Sequence, residues 1–428
     1  MSYLFNRGIH PKDKKELTAD LPFEVMSAPA KVYIPLCQHI GAPAKARVSV
    51  GDRVKAGTLI GEATGFISAN VHSSVSGTVV AIEQRENAAG RKIDHIVIEN
   101  DGLYEEEALP PLENPTKMDI FTRCYDAGIV GMGGATFPTH VKIQPKKPIH
   151  TLIINGAECE PYITADYRMM LEHPKEIVEG ISYIKTVLGA QKVVIGIEDN
   201  KPKAIDAMQA AVAGTDITVQ KLKTKYPQGG EKQLIHAVTK LKVPWTGLPA
   251  DVGVIVVNVT TAFAVYEAIK LGKPSYTRFM TVSGKGIKRP ANLIVRVGTP
   301  FEDVVDYLGH NDYVKAIVGG PMMGLSIANL NPVVAKGNSS LLLLDKSEER
   351  EIEPTPCINC GRCAMACPMR LIPMMTDRLI LKDKIADSYK YHPQCCIECG
   401  CCAYVCPADR PLVQSQRLAK KLIKERMQ

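Results

Sequence analysis

Ten of the thirteen cysteines in this 428-residue chain lie within one stretch, between Cys357 and Cys406. The spacing C-x2-C-x2-C-x3-C-P occurs there twice, beginning at Cys357 and at Cys396. In the two-cluster pattern of bacterial ferredoxins, the first three cysteines of such a run bind one cubane and the fourth binds the other. The sequence therefore predicts two [4Fe–4S] clusters. The predicted ligands are Cys357, Cys360, Cys363 and Cys406 at site I, and Cys396, Cys399, Cys402 and Cys367 at site II.

Structural zinc is the alternative chemistry for such cysteines, because zinc also accepts four thiolates. Zinc sites usually combine two C-x2-C pairs that are about a dozen or more residues apart, whereas here three cysteines follow in immediate series, which favours clusters. Cys395 and Cys401 fall outside both runs, and we interpret them as packed small residues. Residues 1–17 are charged and lack the apolar segment of a secretory signal, so we expect a reducing compartment without disulfides.

A glycine-rich segment, residues 128–138, is the second feature that could bind a ligand. Glycines allow backbone N–H groups to approach an anion such as a phosphate, and the candidates are Gly131, Gly133 and Gly134. The segment follows a predicted helix, residues 118–127, and precedes a strand, whereas the dinucleotide fingerprint requires the order strand, loop, helix. Taken alone, it could equally be a structural turn. Lys142, just beyond it, could contact a phosphate or a flavin carbonyl.

Two carboxylates follow the next predicted strand, residues 151–154. Glu158 and Glu160 stand in a turn that begins at Asn155 and ends at Pro161, at the carboxyl end of that strand. Ligands bind at this end of the strands in open α/β sheets. Carboxylates there suit the hydroxyl groups of a ribose or a ribityl chain, which donate hydrogen bonds. The alternative, a pair of solvated surface acids, is disfavoured by the tight turn.

The composition argues against two classes of partner. The formal net charge of +7 is mild for this length, and one Trp with 8 Phe offers little for stacking nucleobases, so we expect no nucleic-acid partner. No segment has the run of about 20 apolar residues that a membrane span needs. If the protein acts at a membrane, we expect it to associate with the membrane surface without spanning the bilayer.

The surrounding elements divide into four regions. Residues 1–105 alternate Val/Ile-rich runs with glycine turns, and their V-x-x-G-D-x-V-x-x-G pattern resembles the barrel-sandwich hybrid of biotinyl and lipoyl domains. The carrier lysine of such domains has no counterpart in residues 58–84, which indicates a scaffold. Alternating strands and helices predict an α/β domain with a largely parallel sheet at residues 117–272. Residues 273–345 read as an α+β module, and residues 354–428 hold the clusters.

Several motifs resemble the FMN- and NADH-binding subunit of respiratory complex I. They are G-x-G-G from Gly131, E-x-E-P from Glu158, Y-P-Q-G-G-E from Tyr226 and V-N-V-T-T from Val257. The resemblance implies that this chain binds FMN and NAD(H). The implied contacts are Gly131, Gly133, Gly134, Lys142, Asn155, Glu158, Glu160, Tyr226, Gly229, Glu231 and Asn258. Ala157 and Gly230 stand where the complex I pattern carries further acids.

From end to end, the chain is similar to the RnfC family, one of the subunit families of Rnf electron-transport complexes. The shared features include G-I-H-P at Gly8, the run at residues 34–44 and the order of the domains. This implies a barrel-sandwich hybrid, a Rossmann-like FMN/NAD domain, a β-grasp module and a ferredoxin-type domain. It also implies a peripheral subunit on the cytoplasmic side of the membrane, transferring electrons between NAD(H), FMN and two clusters. Other Rnf subunits would translocate Na⁺ or H⁺, and ferredoxin would be reached indirectly.

The sequence leaves two other functions open. A soluble flavin and iron–sulfur reductase, like the cobalamin reductase of propanediol-using microcompartments, shares the FMN and cluster motifs but typically lacks the leading barrel-sandwich domain. A non-catalytic electron-transfer adaptor would keep the fold without the nucleotide site, and the departures at Ala157 and Gly230 keep this interpretation open.

Overall fold

The computed structural model describes residues 4–349 and 353–427, so the predicted domain limits at residues 1 and 428 lie outside the described residues. The first hundred residues are rich in strands and contain a short 3-10 helix, Lys15–Leu17. The strands are β1 (Phe23–Val25), β2 (Lys31–Pro35), β3 (Lys45–Ala46), β4 (Arg53–Val54), β5 (Leu59–Glu62), β6 (Val71–His72), β7 (Gly77–Glu86) and β8 (Lys92–Asn100).

Strands β2 to β8 form two small sheets that share one hydrophobic core. One sheet has the order β2-β8-β7-β4 and the other the order β3-β5-β6, with antiparallel pairing throughout. The core contains Val32 and Ile34 from one sheet and Ile60 and Val71 from the other. Alternate residues of a strand point to opposite faces, and in β2 this places Val32 and Ile34 in the core while Lys31 is exposed.

The next region is an α/β layer. Its elements are α1 (Lys117–Asp126), α2 (Thr139–Lys142), β9 (Thr151–Gly156), α3 (Ala165–Glu172), α4 (Pro174–Leu188), β10 (Lys192–Glu198), α5 (Pro202–Ala211), β11 (Ile217–Leu222), α6 (Glu231–Thr239), a 3-10 helix (Pro249–Val252), β12 (Val254–Asn258) and α7 (Val259–Lys270). The sheet has the order β11-β10-β9-β12, and all its pairs are parallel. The parallel sheet expected from the strand–helix alternation is thus confirmed.

One local expectation in this layer is wrong. The sequence predicts a strand directly after the glycine-rich segment, but α2 comes first. Pro138 stands at the N-terminal cap of α2, where a missing N–H costs no intrahelical hydrogen bond. The segment therefore runs from one helix into another, and β9 follows after a further loop.

The third region is built on a six-stranded mixed sheet. Its own elements are β13 (Thr277–Ser283), β14 (Ala291–Arg296), α8 (Phe301–Leu308), β15 (Lys315–Val318), β16 (Leu325–Ile327) and β17 (Ser340–Leu344). The sheet order is β1-β14-β13-β17-β15-β16, so β1 adds an edge strand from the start of the chain, parallel to β14. The N-terminal arm, which belongs to residues 1–105 by sequence, therefore packs partly on this third region.

The last region consists of short helices around the cysteines. They are α9 (Arg362–Ala366), α10 (Pro373–Ile380), 3-10 helices at Ala386–Tyr391 and Pro393–Cys395, α11 (Cys401–Tyr404) and α12 (Leu412–Met427). Gly361 and Gly400 precede α9 and α11 with φ of 73° and 78°, a backbone conformation that favours glycine. Across the described residues, no helix combines the length and the apolar character that crossing a membrane requires.

Candidate functional site

The predicted ligand site lies at the switch point of the parallel sheet, where the order in which strands are added reverses. From β9 the chain adds β10 and β11 on one side, and then β12 on the other side of β9. Asn155, near the end of β9, pairs in register with Asn258, the last residue of β12. The carboxyl ends of two strands at such a switch point leave a crevice that binds ligands in α/β proteins. Both asparagines predicted as contacts therefore stand at that crevice.

The glycine-rich segment lies against the same edge. A Cβ atom added to Gly133 would come within 2.9 Å of the Cβ of Asn258, so a larger residue would collide there. Met132, the residue before Gly133, donates its backbone N–H to Oγ1 of Thr261 at 2.9 Å. By contrast, a Cβ on Gly134 would meet no heavy atom of the described residues within 4 Å. One side of the segment is thus packed against the start of α7, while the side at Gly134 is open, as a cradle for a phosphate or a flavin requires.

Asp166, on α3, links the loops around this crevice. Its carboxylate accepts hydrogen bonds from Nδ2 of Asn258 at 2.7 Å and from Oγ1 of Thr260 at 2.8 Å. No sequence pattern marks it as a site residue, because an acid in the first turn of a helix is common and needs no ligand to explain it. Asp166 fixes the side-chain amide of Asn258 at the crevice.

Glu158 faces inward, toward other protein groups. Its Oε1 accepts the backbone N–H of Asp166 at 2.7 Å, and its Oε2 lies 3.5 Å from Nζ of Lys15, a residue of the N-terminal arm. Burial raises the pKa of Glu158 to about 7, and the charge of Lys15 opposes that rise. In this conformation the carboxylate anchors α3 and the arm. Its predicted contact with a ligand hydroxyl stays a prediction.

Glu160 lies in a second buried contact. Its carboxylate accepts hydrogen bonds from the hydroxyl of Tyr226 at 3.2 Å and from the backbone N–H of Met322 at 3.1 Å. Burial raises the pKa of Glu160 to about 7, and these two hydrogen bonds work in the opposite direction. Tyr226 itself packs in a cluster with Ile9 and Cys399. The Glu160–Tyr226 pair thus lies on the side of the α/β layer that faces the cysteine-rich region.

The remaining predicted contacts meet at the start of α6. Nδ2 of Asn155 donates to the carbonyl oxygen of Gly229 at 2.8 Å, and the N–H of Gly229 donates to Sγ of Cys159 at 3.3 Å. Nearby, Nζ of Lys142 lies 3.2 Å from Oε1 of Glu231. The structure therefore brings Asn155, Gly229 and the glycine-rich segment to one edge. Lys142 forms an ion pair with Glu231, and the side chains of Glu158 and Glu160 point into the protein interior.

The cysteines surround two cavities. The first is lined by the four cysteines predicted for site II, Cys367, Cys396, Cys399 and Cys402. The second is lined by the four predicted for site I, Cys357, Cys360, Cys363 and Cys406. Each cavity takes three cysteines from one run and the fourth from the other, so both sets fit a cubane.

Site II contains a fifth cysteine, outside the predicted ligand set. Cys401 is fully buried and lines the same cavity as the four predicted ligands. It belongs to the same buried cluster as Cys399. Cys395 is also buried, but it packs beside Met369 and Leu371. Spacing alone does not reveal Cys401, since it falls between two ligands of the run.

Site II is the cysteine site that adjoins the α/β layer. Nε2 of Gln233, on α6, lies 3.3 Å from Sδ of Met369, which lines the site II cavity. The N-terminal arm contacts both regions. Gly8 donates its N–H to the carbonyl oxygen of Ala366 in the cysteine-rich region, and Ile9 pairs with Tyr226 in the α/β layer. Cys360 at site I is exposed. Site II thus contacts the α/β layer, whereas a predicted ligand of site I is open to solvent.

Three family models match the chain in the order of its regions. They are the RnfC barrel sandwich hybrid domain at residues 3–103, the Nuo51 FMN-binding domain at residues 124–267 and a 4Fe-4S dicluster domain at residues 356–409. These matches confirm the predicted barrel-sandwich, FMN-binding and two-cluster modules. Together the fold and the sites define a flavin- and iron–sulfur-containing electron-transfer protein.

Relatives with long matches narrow this class. The chain is 47% identical over 387 residues to the C subunit of the proton-translocating ferredoxin:NAD(+) oxidoreductase complex of Clostridium ljungdahlii, covering 89% of this chain and 85% of that one. It is 44% identical to the C subunit of the Na(+)-translocating complex of Acetobacterium woodii, covering 86% of each. For the C subunit of the ion-translocating oxidoreductase complex of Rhodobacter capsulatus, identity is 43%, covering 99% and 84%. The chain belongs to the RnfC family.

Solved structures share the fold at lower identity. The chain is similar to a chain of an NAD⁺-reducing [NiFe]-hydrogenase in the air-oxidized state, with 20% identity, a TM-score of 0.50 and coverage of 71% of this chain. For the H2-reduced state the identity is 19%, the TM-score 0.52 and the coverage 70%. This chain spans 64% and 63% of the length of those hydrogenase chains. At this identity the likeness concerns the fold.

Proposed function

We propose that this chain is the NAD(H)-interacting subunit of an Rnf-type complex and that it passes electrons between NAD(H), FMN and two [4Fe–4S] clusters. The observation that carries the proposal is the position of the site II cavity beside the α/β layer whose switch point holds the glycine-rich segment. When bound, FMN supplies the chemistry that joins the two ends, since it exchanges a hydride with NAD(H) and single electrons with clusters.

The flavin site would be held mainly by backbone and amide groups. Gly134 offers open backbone, and Asp166 fixes the amide of Asn258 at the crevice. Lys142 and Glu231 offer a cation and a carboxylate at a half-exposed position, where each can exchange its present partner for a ligand. The proposed contacts are those implied by the complex I motifs, Gly131, Gly133, Gly134, Lys142, Asn155, Glu158, Glu160, Tyr226, Gly229, Glu231 and Asn258. No side-chain acid, base or nucleophile is needed for electron transfer.

The clusters would act in a fixed order. Site II would exchange electrons with the flavin, because its lining contacts the α/β layer through Met369 and Gln233. Site I would exchange them with a redox partner, because Cys360 is exposed and Ile358 beside it is 65% exposed. The proposed ligands are the two sets of four cysteines that line the cavities.

The proposed partners and location of this chain are inferred from its relatives in the family. The Clostridium and Acetobacterium relatives are named as subunits of proton- and Na(+)-translocating ferredoxin:NAD(+) oxidoreductase complexes. By this likeness, other Rnf subunits translocate the ion and connect the chain to ferredoxin, and this subunit lies peripherally on the cytoplasmic side of the membrane. We assign the domains as residues 1–105, 117–272, 273–345 and 354–428, with the third as a β-grasp module in which α8 packs on the mixed sheet.

The two other candidate functions are less well supported. A soluble cobalamin reductase typically lacks a leading barrel-sandwich domain, whereas residues 3–103 match that domain. A non-catalytic adaptor would have lost the nucleotide site. Here the crevice keeps both asparagines and the glycine-rich segment, and Ala157 donates its N–H to Oδ1 of Asn155 in the same turn.

Anaerobic reconstitution tests the proposal directly. The full chain would be loaded with iron, sulfide and FMN, freed of excess reagents and titrated with NADH. We expect about eight irons and one FMN per chain, with bleaching of both the flavin and the cluster absorbance by NADH. Clusters that load fully but ignore NADH would contradict the proposal, and NADPH serves as a control for nucleotide specificity.

A further inference from the structure

An exposed loop between α6 and β12 combines apolar and cationic side chains. In residues 240–248, the side chains of Leu241, Trp245 and Leu248 are 44%, 48% and 69% exposed. Lys240 and Lys242, in the same segment, are also exposed. Single apolar residues are common on protein surfaces, whereas several that lie close together indicate a binding surface. We call residues 240–248 the basic apolar loop.

Contacts with both neighbouring regions hold this loop in place. Nζ of Lys232, on α6, donates to the carbonyl oxygens of Pro244 and Trp245 at 2.8 Å each. The indole ring of Trp245 meets the ring of His392, in the cysteine-rich region, with 5.1 Å between the ring centroids. The apolar side chains are therefore exposed on an ordered loop at the junction of the α/β layer and the cysteine-rich region.

Positive charge exceeds negative charge around the loop. Residues 240–252 contain one acidic residue, Asp251, and its carboxylate already pairs with Nζ of Lys147 at 2.8 Å. Lys232 donates to uncharged carbonyl groups, and Lys242 is exposed to solvent. The charges of these two lysines can therefore attract an anionic partner.

We propose that the basic apolar loop attaches this chain to an anionic lipid bilayer, with Trp245 and Leu248 entering the interfacial layer and the lysines contacting headgroup phosphates. Trp is enriched where a bilayer meets water, because its ring is amphipathic, and each lysine near an anionic leaflet adds attraction. A protein partner fits less well, since lysine is depleted in protein–protein interfaces. The inference rests on the proposed function, which places the chain at a membrane, and adds the surface that makes the contact.

This surface leaves the crevice of the sheet accessible. The loop leads through the 3-10 helix Pro249–Val252 into the amino end of β12, whereas Asn258, at the carboxyl end of the same strand, borders the crevice. Leu248, which directly precedes that helix, therefore lies toward the opposite edge of the sheet. Contact with a bilayer at Leu248 is thus compatible with entry of NAD(H) into the crevice.

The test uses the full reconstituted chain and protein-free vesicles of phosphatidylcholine alone or mixed with an equal amount of phosphatidylglycerol. Vesicle flotation measures the affinity, and fluorescence reports on the loop alone, because Trp245 is the only Trp in the sequence. The variants are Leu248→Ser and Lys242→Glu. Their matched controls are Leu103→Ser, at a position that is 66% exposed, and Lys92→Glu, both in the β-rich N-terminal region.

We expect the chain to bind the mixed vesicles much more tightly than phosphatidylcholine alone, and salt should weaken this binding. The emission of Trp245 should shift to shorter wavelength as the indole ring leaves water. Leu248→Ser should lower the affinity about tenfold, and Lys242→Glu should lower it at least about fivefold. Both control variants should bind like the wild type.

Three results would overturn the inference. The first is a chain that does not bind the mixed vesicles, even if it binds native membranes, because a protein would then hold it there. The second is binding with unchanged Trp245 emission, which would place the contact elsewhere. The third is an equal loss of affinity in the matched controls.

An NADH titration of the same samples without vesicles tests the proposed electron-transfer function separately. Bleaching of the flavin and the clusters by a chain that does not bind vesicles would refute the attachment alone. Vesicle binding by a loaded chain that ignores NADH would support the attachment and refute the electron-transfer function.

Discussion

At the scale of single residues, Lys15 connects the N-terminal arm to the turn that follows β9. Its Nζ donates to the carbonyl oxygen of Glu160 at 3.0 Å and to that of Ile163, and it forms the ion pair with Glu158. Burial lowers the pKa of Lys15, while the charge of Glu158 opposes that effect. Loss of this buried cation would remove the charged partner of Glu158 and a hydrogen-bond donor to two carbonyl groups.

Replacing Lys15 by Met should loosen this turn. Removing one partner of a buried ion pair costs about 3 kcal/mol, which is about a hundredfold in an opening equilibrium. Hydrogen exchange measures that opening at the N–H groups of Asp166 and Tyr167, which donate to Glu158. Lys12→Met, at an exposed position of the same arm, is the control and should leave the exchange rates unchanged. Equal protection in Lys15→Met and the wild type would refute this role of Lys15.

Site residues that are close together in the sequence could be predicted from their spacing. Contacts between residues that are distant in the sequence could not. The cysteine runs predicted both sets of four that line the cavities, because the spacing of ligands along the chain constrains how they meet. Lys15 lies 143 positions before Glu158 and has no motif of its own. Asp166 is unremarkable by spacing. Its role depends on partners that the fold brings to it.

At the scale of elements, β13 holds the glycine-rich segment in place. Arg278 on this strand is fully buried, and its guanidinium donates to the carbonyl oxygens of Met132 at 2.9 Å and of Asn338 at 2.5 Å. Burial lowers the pKa of Arg278 to about 10, and the charge of Asp166 counteracts the shift. Met132 is thus fixed from both sides, by Arg278 at its carbonyl group and by Thr261 at its N–H.

Replacing Arg278 by Met should weaken FMN binding about tenfold. A hydrogen bond to a charged group contributes about 1.5 kcal/mol, which is close to a factor of ten in affinity. The measurement is a titration of the flavin-free chain with FMN, followed by flavin fluorescence. Arg289→Met provides the matched control, because Arg289 is half-exposed and pairs with Glu24 away from the segment. An unchanged affinity in a folded Arg278→Met chain would contradict the role assigned to β13.

The regular elements were predicted well, and the irregular ones were not. Helix α8 can be predicted from the sequence, because its apolar residues repeat with helical spacing and Pro300 and Gly309 bound it. Strands of two residues, such as β3 and β4, carry too few side chains for a period to be recognised. The pairing of Phe23 with Asn292 joins residues far apart in the chain. Local sequence patterns therefore predict secondary-structure elements, but they do not predict which elements distant in the chain pair with each other.

At the scale of the whole molecule, one buried lysine joins three regions. Nζ of Lys336, in the third region, donates to the carbonyl oxygen of Asn70 at 2.8 Å and to that of Gly128 at 2.7 Å. Asn70 belongs to the β-rich N-terminal region, and Gly128 lies at the start of the glycine-rich segment. Burial lowers the pKa of Lys336 to about 7. Lys336 therefore ties the barrel-sandwich region to the start of the glycine-rich segment.

The order of the cofactors yields a prediction for the whole chain. Cys357 and Cys396 are the first cysteines of their runs, and both are partly exposed, so substitution by Ser disturbs comparable positions. Each variant should lose one cluster, about four irons. Because site II adjoins the α/β layer, Cys396→Ser should prevent NADH from rapidly reducing the cluster at site I. In Cys357→Ser, NADH should still reduce the flavin and site II at the wild-type rate.

Rapid mixing with NADH under anaerobic conditions, followed by freezing and electron paramagnetic resonance, distinguishes these outcomes. The flavin absorbance of each variant shows whether NADH still reacts, so a failure at the nucleotide site is separated from a failure between the clusters. Rapid reduction of site I in Cys396→Ser would place site I next to the flavin and reverse the order. The pair of variants thus tests whether the contact between Gln233 and Met369 marks the route of the electrons.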